Sequence, residues 1–417
     1  MPLPSAFAPF RIRSYRFQWL ADLLVSWAFE METLILGWYV LVETGSVLLL
    51  TIYGALLYGG TLIAPMMGVA SDRIGHRQLL SGMRAIYAAV AAVLMALAFA
   101  GLLNPLLVLV LAAVSGLVRP SDMGLRGALI ADGMPANMLT GAMSFSRTTS
   151  DIARITGALS GAGLFAAFGM APAYVAITIL YALGSLLTWC ASPAKTEPVE
   201  APPLTAQASP STWADLREGV VHIWNTPSLL AIVWLALLFN FTAFPLTNGL
   251  LPYVAKDIYR IDQTGLGYLV AAIGFGALLG ALVMTWFSAE VNLSRLMFIA
   301  GVIWHVLILI FIQMHSLNGG IVMLFLCGVA QSLTMVCHTV ILLRTASQRF
   351  RGRVLGVRML AIYSLPLGLL IAGALIERIG FRWTASLLAG IGLVFTVLIG
   401  VKWRDYLWRR QAPESGA

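Results

Sequence analysis

The chain has 417 residues, of which 59% are hydrophobic and 11% are charged, and its formal net charge is +8. Soluble domains carry about 25% charged residues, so this composition excludes an ordinary soluble protein and indicates a membrane protein with several spans. The positive charge indicates contact with anionic lipid rather than nucleic acid, because no basic run is interleaved with aromatic residues.

Twelve apolar segments are each long enough to cross a bilayer as a helix, which takes roughly 20 residues. They cover residues 17–41, 47–70, 79–102, 105–131, 140–168, 171–192, 228–254, 264–288, 294–315, 318–343, 354–376 and 382–402. The sequence therefore predicts an all-α membrane protein with twelve transmembrane helices and with both termini on the same side.

Basic residues concentrate on one side of this predicted topology. Most of the 26 Lys and Arg residues lie near the side that holds the termini. The others lie on the opposite side (Lys256, Arg260, Arg378 and Arg382) or in mid-membrane (Arg119 and Arg154). Because cytoplasmic loops carry the excess of Lys and Arg, both termini are expected in the cytoplasm. The first span is too long for a signal peptide and has no small-residue cleavage site.

The first span contains two carboxylates in the stretch WAFEMETLILGW. In a helix, each residue is rotated by about 100° about the axis relative to the one before it. One set of polar and small residues then falls within a wedge of about 80°, and Glu32 lies about 200° around the axis from Glu30. The wedge comprises Asp22, Ser26, Glu30, Thr33 and Gly37. Glu30 is therefore expected to face a polar interior. Two interpretations stay open for Glu32, which are an interhelical partner and a second protonatable site.

The loop between spans two and three reads GVASDRIGHRQLL. Its residues Gly68, Asp72, Arg73, Gly75 and Arg77 match the G-x-x-x-D-R-x-G-x-R pattern of the major facilitator superfamily. Stretches such as LGWYVLVETGS and GYLVAAIGFGALLGAL also resemble the drug-efflux and enterobactin-exporter branch of that superfamily. The resemblance implies a major facilitator fold of two six-helix halves, alternating access, and a cytoplasmic gate at this loop.

Spans four and five each carry a stripe of charges. Asp122 lies at helical spacing from Arg119 and Arg126, and Asp151 lies at the same spacing from Arg147 and Arg154. Such spacing allows structural ion pairs, and this is the favoured interpretation for both aspartates. In span five, the glycines Gly157 and Gly161 resemble the antiporter packing motif of the family, although Ala158 replaces the usual proline.

Glu30, Arg119 and Arg154 lie at similar depth when counted from the ends of their spans. The resemblance places spans one, four and five around a central cavity, so these three residues are expected to meet. Burial disfavours an ionised carboxylate and a guanidinium favours it, and alternating access can change that balance. Glu30 is therefore expected to carry the coupled proton, because its own helix holds no basic partner.

A Pro-, Ala- and Ser-rich stretch separates six spans from six and is typical of a disordered linker. The predicted organisation is an N-terminal half (1–192), a cytoplasmic linker (193–227) and a C-terminal half (228–417). Residues 213–224 of the linker have the spacing of an amphipathic surface helix, and a plain helical lead-in to span seven is the alternative.

The second half offers neutral polar groups in mid-span. Together with Trp27 and Trp38, the residues Asn240, Gln331 and Tyr363 can line an amphipathic substrate cavity that suits lipophilic or aromatic compounds. Each of them can instead connect helices. The three cysteines lie inside spans without metal-ligand spacing, so neither a metal nor another cofactor is expected. The sequence shows no nucleophile–base pattern and no phosphate-binding loop, so an enzyme is not expected either.

The sequence predicts a proton-coupled exporter of small amphipathic or lipophilic compounds in the bacterial inner membrane. A monomer surrounded by lipid is expected, with protons and a small-molecule substrate as its partners. Two alternatives stay open. One is an exporter of an anionic substrate, such as a siderophore or a lysophospholipid, that binds at Arg119 and Arg154. The other is a facilitator-like sensor or assembly factor that does not transport.

Overall fold

A computed structural model describes residues 5–191, 218, 220–221, 223–287, 292–345, 361 and 364–407. Their regular structure is helical, and no strand occurs among them. The side chains of Gly68 and Asp72 and most of the predicted amphipathic helix over 213–224 lie outside the described part.

In the described part, seven α-helices precede the linker. They are α1 (Arg13–Thr44), α2 (Val47–Leu56), α3 (Ala64–Ile74), α4 (His76–Phe99), α5 (Pro105–Gly133), α6 (Ala136–Phe168) and α7 (Met170–Cys190). A 3-10 helix (Ser5–Arg11) precedes α1. The cap residues Ser46 and Asn104 accept hydrogen bonds from backbone N–H groups at the starts of α2 and α5, and α1 ends at Gly45 with φ +64°.

The predicted second span is interrupted. A 3-10 turn over Gly59–Leu62 separates α2 from α3. A Cβ atom on Gly60 would lie 1.8 Å from the Leu117 carbonyl oxygen, so only glycine permits the backbone of this turn to contact α5 so closely.

Six longer helices follow the linker among the described residues. They are α8 (Pro227–Thr242), α9 (Gln263–Phe287), α10 (Leu293–Phe311), α11 (Leu317–Thr345), α12 (Ser364–Ile379) and α13 (Phe381–Lys402). Two π-helical segments, Pro245–Gly249 and Val254–Ile258, flank the short helix Leu251–Tyr253 after α8. The chain continues beyond α13 with a short helix, Arg404–Leu407.

Nine helical segments of the described part are long and apolar enough to cross a membrane. The protein is therefore a multi-pass membrane protein, as predicted. Three of the twelve predicted spans fall outside these nine. Span two is divided, span five corresponds to the charged helix α6, and span eleven begins outside the described residues. The total of twelve stays a prediction.

The chain forms two compact units, one of residues 1–208 with 255–271 and one of residues 209–254 with 272–417. In the first unit, α4 packs mainly against α7, and α1 packs against α6 and α7. In the second unit, α10 packs against α11 and α13, and α8 packs against α12 and α13. The second unit buries Trp304 completely, with its ring 5.8 Å from that of Phe239.

Candidate functional site

Glu30 on α1 forms an ion pair with Arg154 on α6. Arg154 Nε lies 3.7 Å from Glu30 Oε1, and the two side chains are 28% and 19% exposed. Among the described ion pairs that join an arginine of one helix to a carboxylate of another, these two groups are the most exposed. The pair is thus both accessible and loosely held, because an N–O distance of 3.7 Å is long for a charge-assisted hydrogen bond.

Two glycines on α6 permit its close contact with α1. A Cβ atom on Gly157 would lie 2.7 Å from the Cβ atom of Glu30, and one on Gly161 would lie 2.9 Å from the Met31 Cα atom. One turn away, Trp27 Nε1 donates a hydrogen bond to Ser160 Oγ at 2.8 Å. This close packing fixes the segment of α1 that carries Glu30 against the helix that carries Arg154.

Glu32 lies on another face of α1 and is buried. Its Oε2 atom accepts hydrogen bonds from Tyr181 Oη at 2.8 Å and from Arg119 Nη2 at 3.3 Å. The Tyr181 oxygen itself accepts from Arg119 Nη2 at 3.2 Å, and the Arg119 guanidinium lies over the Phe29 ring. We call Glu32, Arg119 and Tyr181 the glutamate triad. It joins α1, α5 and α7.

A second cluster contains two carboxylates and two guanidiniums. Asp22 contacts Arg84 at 2.5 Å and Arg126 at 3.4 Å, while Asp122 contacts Arg84 at 3.3 Å and Arg126 at 2.9 Å. Each acid contacts both bases, so these four residues form a closed charge ring on α1, α4 and α5. The ring is neutral as a whole, which offsets the cost of burying its members.

Further hydrogen bonds hold the charge ring in place. Gln18 Nε2 donates to Asp22 at 2.7 Å, Arg84 Nη1 donates to Thr188 Oγ1 on α7 at 2.5 Å, and Arg126 Nη1 donates to Ser26 at 3.1 Å. These contacts satisfy donors that would otherwise be buried without partners, and they extend the ring to a fourth helix.

The structure divides the charges that were expected to meet. Arg154 contacts Glu30, but Arg119 contacts Glu32. Asp122 keeps its helical neighbour Arg126, and Asp151 keeps Arg147 at 3.6 Å. Asp22, which was placed on the wedge with Glu30, is buried in the charge ring.

Two residues of these clusters were missed from the sequence. Arg84 was assigned to the cytoplasmic end, but its side chain is 0% exposed and it bridges two aspartates. A signal for it exists, since Arg84 lies inside the apolar segment predicted over 79–102, which holds no other charged residue. Tyr181 gives no such signal, because a tyrosine in a membrane helix is ordinary.

The loop motif forms the junction of α3 and α4. Gly75 has φ +98°, in the backbone region that favours glycine. His76 Nδ1 lies 2.7 Å from Asp132 Oδ2. Arg77 donates to the Trp189 carbonyl oxygen at 3.4 Å, and Arg73 is exposed. The role of this loop as a gate stays a prediction.

The residues predicted to line a cavity fall into both units. Trp27 and Trp38 belong to the first unit and Asn240 and Gln331 to the second, while Tyr363 lies outside the described residues. Trp38 and Gln331 are buried, and Asn240 donates a hydrogen bond to the Ala236 carbonyl oxygen of its own helix at 2.9 Å. Within the described part, no group of residues has the composition of a metal site.

A family model described as "transmembrane secretion effector" matches residues 4–414. The chain belongs to this family. Its members are transporters of the major facilitator superfamily, so the predicted superfamily is confirmed. The family and the fold indicate a transporter.

Curated relatives of this secretion-effector chain include efflux proteins. The multidrug efflux pump Tap of Mycolicibacterium fortuitum is 29% identical over 189 residues, or 44% of this chain and 46% of that pump. Tap of Mycobacterium tuberculosis H37Rv is 26% identical over 362 residues, or 82% of this chain and 81% of that pump. Macrolide efflux protein A of Streptococcus pyogenes is 21% identical over 410 residues and covers 93% of this chain and 98% of that protein.

Solved structures share the fold of this family member. An inward-facing, unoccupied bacterial homologue of the human lysosomal transporter Spinster superposes with a TM-score of 0.72 at 15% identity, over 96% of this chain and 99% of that chain. The nucleoside transporter NupG superposes with a TM-score of 0.70 at 14% identity, over 96% and 100% of the two chains. These similarities confirm the major facilitator fold.

Proposed function

We propose that this protein is a proton-coupled exporter of small amphipathic or lipophilic compounds that works by alternating access. The efflux proteins among its relatives support the direction and the substrate class. The charged residues within its apolar helices support the coupling, since a charge at the bilayer centre costs about 2.5–3.5 kcal/mol on insertion scales.

The Glu30–Arg154 pair is the observation that carries this proposal. Glu30 is partly exposed and contacts its guanidinium partner at 3.7 Å. We place this exposed surface on the substrate cavity, where water and substrate reach it. A proton on Glu30 cancels its attraction to Arg154 and lets α1 and α6 change their contact. Proton release restores the pair. Glu30 therefore alternates between a charged and a neutral form as the protein changes state.

The remaining features of the proposal follow from the predicted topology. We place the protein in the bacterial inner membrane with both termini in the cytoplasm, where the basic residues concentrate. It acts as a monomer in contact with lipid. The loop from Gly68 to Arg77 closes the cytoplasmic side in one state, and Trp27 and Trp38 contribute apolar area to the substrate cavity.

Proteoliposomes with a pH-sensitive dye inside test the proposal. Addition of a transported lipophilic compound should change the internal pH with the wild type, and Glu30→Gln should abolish this change while compound binding persists. Glu43→Gln is a matched control, because Glu43 is an exposed glutamate on the same helix as Glu30. A proton flux that Glu30→Gln leaves intact would refute Glu30 as the carrier.

A second candidate substrate class is anionic. Arg154 is 28% exposed and its ion pair is long, so a carboxylate or phosphate can displace Glu30 from it. Binding of an acidic compound that Arg154→Gln abolishes and Glu30→Gln strengthens would favour this class. Binding that ignores both substitutions would exclude it.

A further inference from the structure

Tyr87 on α4 has a hydroxyl group that the contacts described above leave unexplained. The residue is 4% exposed, and its hydroxyl has no hydrogen-bond partner among the described residues. A buried hydroxyl without a partner is costly, so its position requires a reason. The Tyr87 ring lies 5.6 Å from the Tyr181 ring of the glutamate triad. Tyr87 also lies three residues from Arg84 on α4, and so on the same face of this helix as a member of the charge ring. Tyr87 is thus in reach of both buried clusters.

The hydrogen bonds of Tyr181 depend on the charge of Glu32. A tyrosine hydroxyl has one hydrogen to donate, and Tyr181 donates it to Glu32 while its oxygen accepts from Arg119. A protonated Glu32 is itself a donor, and the Tyr181 oxygen is the acceptor that already contacts it. With the proton on Oε2, the Tyr181 hydrogen needs a new acceptor. The Tyr87 oxygen belongs to the neighbouring ring and has no partner among the described residues.

We propose that Tyr181 and Tyr87 form a hydrogen-bond switch that transmits protonation of Glu32 to Asp122 of the charge ring. One proton adds to the Glu32 carboxylate, and each tyrosine keeps its single hydrogen. Tyr181 exchanges its acceptor, and the Tyr87 hydroxyl moves into contact with Tyr181 and Asp122. Glu32 donates to Tyr181, Tyr181 donates to Tyr87, and Tyr87 donates to Asp122. The Tyr87 hydroxyl lacks a partner among the described residues because its partners belong to the protonated state.

The switch changes the packing of the helices through the charge ring. Asp122 already accepts from Arg126 at 2.9 Å and from Arg84 at 3.3 Å. A further donor from Tyr87 competes with the longer of these contacts and weakens the connection between α4 and α5. Protonation of Glu32 thereby loosens a helix contact that contains no atom of Glu32 itself.

The surroundings of Glu32 define the control. Its polar and charged neighbours include Arg119 and Ser115 from α5, Tyr181 and Tyr174 from α7, and Tyr53 from α2, while α6 presents Arg154 to Glu30. The Tyr174 hydroxyl is also buried and has no hydrogen-bond partner within the described part of the chain. Tyr174 lies on the same helix as Tyr181 but takes no part in the proposed relay, so Tyr174→Phe removes an equivalent buried hydroxyl outside the switch.

Infrared difference spectroscopy of the purified full-length protein tests the switch. The carbonyl band of the protonated Glu32 carboxyl is identified by its loss in Glu32→Gln, and its intensity is followed against pH. We expect Tyr87→Phe to protonate Glu32 at a pH about one unit lower than the wild type, the effect of one lost hydrogen bond. Tyr174→Phe should leave the midpoint unchanged.

A double-mutant cycle separates the switch from two independent effects. In a Tyr181→Phe background, Tyr87→Phe should cause no further shift, because the chain is already broken. An unchanged midpoint in Tyr87→Phe, an equal shift in Tyr174→Phe, additive shifts, or a wild-type band that does not respond to pH would each overturn the proposal. Thermal unfolding midpoints confirm that the variants are folded. Should Tyr87→Phe not fold, Tyr181→Phe alone tests the switch through its own shift in the pH at which Glu32 is protonated.

The inference rests on the proposed function only in treating the protein as one that binds protons. The spectra require no transported compound. A failed proteoliposome experiment with an intact spectroscopic switch would therefore reject proton-coupled export alone, and the reverse pair of results would reject the switch alone.

Discussion

Replacement of Gly157 by alanine should separate the helix that carries Glu30 from the helix that carries Arg154. The new methyl carbon would lie 2.7 Å from the Glu30 Cβ atom and 3.0 Å from the Trp27 carbonyl oxygen. Non-bonded carbon atoms are stable at about 3.5–4.0 Å, so α1 must move by about 1 Å. The Glu30–Arg154 distance is already 3.7 Å, and such a movement removes the ion pair.

The expected cost is that of an overpacked core. Insertion of a methyl group into a closely packed contact costs about 1–3 kcal/mol, which lowers the unfolding midpoint of a unit of this size by about 2–12 °C. Proton-coupled transport should fall further than stability does, because the substitution displaces Glu30 directly.

Gly163→Ala is the matched control on the same helix. No described atom lies within 4 Å of a Cβ atom at Gly163, so the same methyl group enters open space there. The two variants are compared by thermal unfolding in detergent and by transport in proteoliposomes. Equal stability and equal transport in Gly157→Ala and Gly163→Ala would refute the close contact of α1 with α6.

Two further predictions concern buried polar groups. Arg84→Met removes one base of the charge ring and should destabilise the protein by about 3–5 kcal/mol, and Asp22→Asn in the same chain should recover part of the loss in thermal unfolding, since it restores neutrality. No recovery would argue against a charge ring. Gly392→Ala places a Cβ atom 2.1 Å from His305 Nε2 and should lower the unfolding midpoint, whereas Gly390→Ala, with no described atom in contact range, should not. His305→Ala should relieve only part of the clash of Gly392→Ala, because the new Cβ atom also lies 2.5 Å from Thr242 Oγ1. A double-mutant cycle that shows no coupling between the two substitutions would contradict this.

Helix periodicity predicted a large part of the first unit. The angular separation of Glu30 and Glu32 placed them on different faces, and their partners indeed belong to different helices, Arg154 on α6 and Arg119 on α5. The glycines of α6 were identified as packing residues, and Gly157 and Gly161 do contact α1. Spacing along one helix determines the face of a residue, which is why these features could be predicted.

Contacts between helices could not be predicted in the same way. Arg119 has an acid three residues along its own helix, yet it contacts Glu32 of another helix. Arg84 looked superficial because depth was counted from the end of the apolar run, whereas α4 already begins at His76. The partner of a charge depends on the rotation and neighbours of its helix, and a single sequence contains neither.

The charge ring also constrains how the protein is made. On α5, Asp122 and Arg126 neutralise each other, but α1 carries Asp22 and α4 carries Arg84 without a partner of their own. Such a charge opposes membrane insertion by up to about 2.5–3.5 kcal/mol, which is the cost at the centre of a helix. The acids of α1 leave the ribosome before the bases of α4, α5 and α6 exist. We therefore expect the first helix to gain stability in the bilayer when α4 and α5 join it, so that the insertion of these helices is coupled.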